Sequence, residues 1–129
     1  MFNSKNLKTE AASLTKLWTP KVVGEVNDQF VKVAKVRGEL AWHKHDAEDE
    51  LFYVLKGALR IEYEGSVVDL EEGEFHVVPK GRLHNPVANE ECLIALIESK
   101  STQHTGDVET EKTVQIADQL AEYQSPPDR

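Results

Sequence analysis

The sequence predicts an all-β domain, a small barrel or sandwich, and two observations carry that expectation. Short apolar runs recur between Lys21 and Ser99, and each is bounded by turn residues such as Asn27-Asp28, Glu64-Gly65 and Glu72-Gly73. Many short strands at regular spacing belong to sandwiches and barrels rather than to α/β folds.

The elements follow in order. Residues 4–17 read as a short amphipathic helix, with Ser4 as cap and Leu7, Ala11, Leu14 and Trp18 at helical spacing. Pro20 ends any continuation, because the residue before a proline disfavours the helical region. Val22–Val26 and Phe30–Val36 then flank the polar turn Asn27-Asp28-Gln29. The second run sets Val31 and Val33 against Lys32 and Lys35 for part of its length. Leu51–Leu55 and Leu59–Tyr63 flank Gly57, which reads as a hairpin signal. Val67–Leu70, Phe75–Val78 and Cys92–Glu98 complete the strands, and Thr113–Tyr123 carries a short helical pattern. The expected organisation is an N-terminal helical segment (1–19), a barrel (20–99) and a C-terminal extension (100–129) with a frayed tail from Ser125.

Two strands are apolar on both faces. Glu50, Phe52 and Val54 oppose Leu51, Tyr53 and Leu55, while Cys92, Ile94 and Leu96 oppose Leu93, Ala95 and Ile97. A strand in a lone barrel has one wet face, so the second face needs a cover: the N-terminal helix, a second sheet or another subunit. The expectation is a homodimer.

With 129 residues there is room for one core. A formal net charge of −8 disfavours nucleic acid as a partner. The longest apolar run, Leu93–Ile97, is far short of a membrane span, and the N-terminus lacks a signal-peptide layout. A single cysteine, Cys92, excludes an internal disulfide, and together these features favour a cytoplasmic protein. Nothing beside Cys92 is placed to activate its thiol, so it reads as core.

The chemistry gathers in two patterns. The first is Gly38-x4-His43-x-His45-x4-Glu50-x6-Gly57, and the second Gly73-x5-Pro79-x-Gly81-x2-His84. On a strand, His43 and His45 would share one face about 6–7 Å apart, a span that suits two imidazoles on one ion. Glu50 and His84 from neighbouring strands would complete a mixed nitrogen and oxygen shell. Trp42 and Tyr53 face away from these donors. Phe75 and Val77 are expected to line the pocket, His76 to lie at the surface or an interface, and His104 to be structural or solvated.

These patterns resemble the two motifs of the cupin superfamily, in particular small single-domain bacterial cupins of the cupin 2 conserved-barrel type. Gly38 stands one residue nearer to His43 than is usual, and Ala88 occupies the place of the customary closing Asn. Trp18–Glu25 and Thr105-Gly106-Asp107-Val108 are also similar to a group of small cupins. The resemblance implies an antiparallel jelly-roll β-barrel holding a divalent ion (Fe, Mn, Ni or Zn) on His43, His45, Glu50 and His84. It further implies a metal-dependent enzyme of dioxygenase or isomerase type, with a small-molecule substrate and no catalytic group beyond the ligands. A module that binds a sugar or other metabolite without turnover is the alternative.

Overall fold

One long strand organises the molecule: His84–Ser99, 16 residues, pairs with three others. The structure is a computed structural model, and it describes residues 2–120, 122 and 123. Its elements are α1 (Leu7–Ala12), β1 (Lys21–Val26), β2 (Gln29–Glu39), β3 (Glu50–Lys56), β4 (Ala58–Tyr63), β5 (Ser66–Glu71), β6 (Phe75–Val78), β7 (His84–Ser99) and α2 (Ile116–Gln119). All pairings are antiparallel, and the order β1-β2-β7-β3-β6 is joined by β4, which pairs with β7 and β5.

β7 can serve two partners because it bends. Its residues from Leu93 to Glu98 pair with β3, and those from His84 to Val87 pair with β4. The bend coincides with a register shift in β2 between Val36, opposite Cys92, and Gly38, opposite Ala88. Such a bulge turns a strand from one layer into the next. Gly57 sits at the matching corner. It was expected in a hairpin, but β3 pairs with β6 and β7 while β4 pairs with β5 and β7. Gly57 therefore joins two layers instead of closing a ladder. Its φ is +94°, and a side chain there would stand 3.1 Å from the carbonyl oxygen of Glu91 at the bend of β7.

The core fills the barrel. Val36, Phe52, Val54, Leu59, Ile61, Leu70, Val78, Ile94 and Leu96 are buried against one another, with Trp18 among them. The expected helix over 4–17 is shorter. It starts at Leu7, because Asn6 rather than Ser4 is the cap, its Oδ1 accepting from the Thr9 N–H at 2.9 Å. Trp18 lies beyond it at φ 57°, and its indole N–H donates to the Arg37 carbonyl at 2.8 Å. Tertiary burial, not helical spacing, explains that tryptophan.

The outer face carries two apolar rows across four strands. One runs Val77, Leu51, Ile97, Val31 and the other Phe75, Tyr53, Ala95, Val33. α1 and the turn after it cover part of it, packing Leu7, Ala11 and Leu14 on Val33, Leu93, Val31 and Leu55. Phe75, Val77 and Ile97 stay exposed. Beyond β7 the chain folds back on the barrel, burying Thr102, His104 and Thr105, and among the described residues of the expected C-terminal helical stretch only Ile116–Gln119 are helical. The tail from Ser125 lies outside the described residues. Among the described residues, no helix is long and apolar enough to cross a membrane.

Candidate metal centre

Four side chains from three parts of the sequence converge inside the barrel. Donor atoms of His43, His45, Glu50 and His84 all lie within 4.8 Å of one another. All four residues are buried, at 4% exposure or less. Glu50 opens β3 and His84 opens β7. His43 and His45 do not come from a strand as expected. They sit in an irregular segment joined to the sheet by a bridge, in which His43 and His84 exchange backbone N–H···O bonds of 2.9 Å each. That bridge, not period-two alternation, brings the His43 ring to the His84 ring.

The hydrogen bonds decide which nitrogens face inward. The His43 Nδ1–H donates to the Ala41 carbonyl at 2.8 Å, and the His84 Nδ1–H donates to the Arg82 carbonyl at 2.9 Å. A carbonyl only accepts, so each Nδ1 carries the proton and each Nε2 presents a lone pair. Both of those Nε2 atoms are buried and have no hydrogen-bond partner among the described residues. The Glu50 Oε1 lies 3.2 Å from His45 Nε2 and 3.7 Å from His84 Nε2. The ring centroids of the three histidines stand 4.4, 5.2 and 5.8 Å apart. Two orphaned lone pairs beside a buried carboxylate lack a positive centre, and a divalent cation would satisfy all of them. The residues fit the ion that the sequence motifs imply.

The electrostatics agree. Burial, reinforced by the neighbouring His84, lowers the His43 pKa to about 4, so the ring is held neutral, as a ligand must be. Burial also pulls on His45, but the hydrogen bond and charge of Glu50 outweigh it and raise its pKa. Burial would raise Glu50, yet the hydrogen bond and charge of His45 hold it well below the usual carboxylate range. The carboxylate is therefore ionised and ready to coordinate.

Two spaces adjoin the centre. A small internal cavity of about 20 Å³ touches Glu50, Phe52, Leu96 and His104, about the room one water needs. A surface cleft of about 270 Å³ reaches His45 between Asp46, Glu48 and Asp107. The C-terminal segment forms one wall of this cleft. The Asp107 N–H donates to the Lys44 carbonyl, and the Lys44 N–H donates to Asp107 Oδ1, both at 3.1 Å. Gly106 lies so close that a side chain there would meet the Lys44 carbonyl oxygen and stand 2.7 Å from His43 Cδ2. Only glycine permits this approach.

Several residues stand differently from expectation. Phe75 and Val77 were expected to line the pocket, but they point outward and are exposed. His76 points inward instead: it is the register partner of Phe52, and its Nε2 shares a hydrogen bond of 2.7 Å with the Tyr63 hydroxyl. Apolar character suggested the wrong face of this four-residue strand, and pairing with β3 overrides it. Tyr63 in turn lies 6.4 Å from the His84 ring, and the Arg82 guanidinium 5.6 Å from the Tyr63 ring. His104 is buried, not solvated, and its Nε2 accepts from the Val114 N–H at 2.8 Å. That bond uses its lone pair and keeps it out of the cluster. Burial pushes the Cys92 thiol up to about 11, which suits a core residue. Trp42 is exposed and lies outside the donor cluster, and Arg60 pairs with Asp69 at 3.1 Å on the surface. The sequence carried no signal for the buried Lys32–Glu98 pair, whose members are 66 residues apart.

Known proteins share this architecture. Residues 29–98 match the family model of the cupin domain. A cupin-2 domain containing protein from Shewanella frigidimarina is similar in structure, with a TM-score of 0.71 and 40% identity, over 74% of this chain and 93% of that one. Protein NMB1881 from Neisseria meningitidis follows with a TM-score of 0.69 and 28% identity, over 75% and 99% of the two chains. The Bacillus subtilis protein YdbB is 33% identical over 82 residues, which is 63% of this chain and 73% of YdbB. Motifs, jelly-roll layering and these matches agree, and the chain belongs to the cupin domain family.

Proposed function

We propose that the protein is a metal-dependent cupin enzyme, of dioxygenase or isomerase type, acting on a small metabolite in the cytoplasm. One observation carries the reading: two buried, unpartnered imidazole lone pairs converge with His45 and an ionised Glu50. His43, His45, Glu50 and His84 would hold a divalent iron, manganese, nickel or zinc ion. When bound, such an ion supplies Lewis acidity and, for iron, redox chemistry with dioxygen. The Ala41 and Arg82 carbonyls keep two rings oriented, and the apolar walls of Phe52 and Leu96 exclude bulk water. Mixed nitrogen and oxygen donors without cysteine suit chemistry better than a closed structural zinc site.

Elemental analysis of protein purified without a nickel column should find about one divalent ion per chain. His45→Ala protein should bind that ion at least tenfold more weakly and turn nothing over. Wild-type protein that stays metal-free when titrated with all four ions would sink the reading. The near-complete burial of the donors favours one second reading, a module that holds a small ligand on the ion without converting it. Oxygen uptake or isomerisation in a screen of sugars, keto acids and diketones decides for the enzyme, and binding without turnover decides for the module.

The outer face supports a proposal about assembly. Leu51, Tyr53, Phe75, Val77 and Ile97 form one apolar surface that α1 leaves uncovered, flanking a groove of about 850 Å³. A second copy laid two-fold on the same rows would bury apolar residues of both chains. Light scattering should give the mass of a dimer, and Phe75→Glu with Ile97→Lys should give that of a monomer.

A further inference from the structure

We propose that Lys32 and Glu98 are positioning residues for Glu50, a buried pair that keeps its carboxylate aimed at the three imidazoles. The proposal rests on the metal reading above.

Register places the three groups together. Glu98 of β7 is the direct cross-strand partner of Glu50 of β3, so both side chains face the interior. Lys32 of β2 is the partner of Leu96, which sets it diagonal to Glu98 on the same face. Lys32 Nζ lies 3.1 Å from Glu98 Oε2, with both side chains at 0% exposure. The same ammonium is 3.5 Å from the Thr102 carbonyl, tying the pair to the segment that crosses the barrel end. Glu98 Oε1 has no hydrogen-bond partner among the described residues. Direct cross-strand pairing sets the Glu98 and Glu50 side chains next to each other on the inner face.

Stability gives no reason for this arrangement, since apolar residues of similar size are often as stable as a buried ion pair. Position does. On one side Glu50 borders the small, mostly apolar cavity beside Phe52, Leu96 and His104, whose lining offers little to fix the direction of its carboxylate. Glu98, anchored by Lys32, occupies the neighbouring strand position and leaves Glu50 the direction of His45 and His84. Outer partners that orient a ligand are worth about 10–100-fold in metal affinity.

The test uses Co(II), whose visible absorption reports both binding and coordination geometry. In Lys32→Met/Glu98→Leu protein the Co(II) Kd should weaken about 10–100-fold and the absorption bands should move, while the metal-free protein melts no lower than wild type. Glu98→Gln keeps an acceptor for Lys32 and a side chain of the same length beside Glu50, so its Kd should stay within about tenfold of wild type. Should the apolar variant fail to fold, Glu98→Asp decides, because it withdraws the carboxyl by one methylene. Its Kd should weaken at least tenfold, and wild-type affinity there overturns the proposal. So do an unchanged Kd and spectrum in the double variant. Wild-type protein that takes up no Co(II) removes the metal reading and this proposal together, whereas wild-type binding matched by the variants removes only this one.

Discussion

Lys32→Met protein should be less stable than wild type at pH 7, by up to about 3–4 kcal/mol, because it leaves the Glu98 carboxyl buried without its cation. The size follows from what Glu98 can do instead. Burial and the nearby Glu50 already raise its pKa well above the ordinary carboxyl value, and Lys32 is the group that opposes them. Without Lys32 it would take up a proton. Protonating a carboxyl of ordinary pKa about 4.3 costs about 3–4 kcal/mol at pH 7 and only about 1 kcal/mol at pH 5, which sets the ceiling on the loss because Glu98 in the wild type already bears part of this cost. The penalty should therefore shrink on acidification, a pattern that a simple loss of packing does not produce. Adding Glu98→Leu should restore most of the stability, since the pair is then replaced as a whole. Urea denaturation of the three proteins at pH 7 and pH 5 makes the comparison. An equal loss at both pH values would show that charge is not what Lys32 contributes.

The metal-free protein should lose stability steeply as pH falls from about 6.5 to about 4. His43 and His104 are both lowered to about 4, in each case chiefly by burial. The coulombic effects of His84 and Lys32 add to it respectively. Between their folded and ordinary pKa values the unfolded chain binds more protons than the native one, so stability rises with pH across that window. Their contribution is complete above about 6.5 and is lost as pH falls through it toward 4. Each ring is worth about 3 kcal/mol at the two extremes. His45 works the other way, since its raised pKa favours the folded state on the acid side. His104→Gln protein, which keeps an acceptor for the Val114 N–H, should show a shallower pH dependence. A wild-type slope would mean that His104 is not buried neutral. With a divalent ion bound the dependence should steepen, because protons compete for the same Nε2 atoms, and the ion should be released below about pH 6. An ion retained at pH 4.5 would argue against this set of donors.

Much of this molecule was legible before any coordinates. Glu50, Phe52 and Val54 read as one face and Leu51, Tyr53 and Leu55 as the other, and the structure buries the first set inside the barrel. Phe75–Val78 has the expected bounds, and Cys92–Glu98 lies within the longer β7. His43, His45, Glu50 and His84 could be singled out because motif spacing is local and survives ignorance of the strand order. Errors arose where local pattern and tertiary contact disagree. Phe75 and Val77 look like core residues, but a four-residue strand takes its orientation from its partner, and β3 turns His76 inward. Trp18 completes a helical spacing, yet a large indole gains more by entering the barrel than by extending α1.

The sequence by itself determined the all-β class and most strand positions, and it picked out four side chains that converge, because turn residues, alternation and motif spacing act over a few neighbouring positions. Only the tertiary structure decided that β7 bends to serve two layers, that α1 covers just part of the outer face, and that Lys32 stands inside. Those outcomes depend on pairings between residues dozens of positions apart. A lysine on an alternating strand has the same local pattern whether its face meets water or meets Glu98, and the register of β2 against β7 makes that choice.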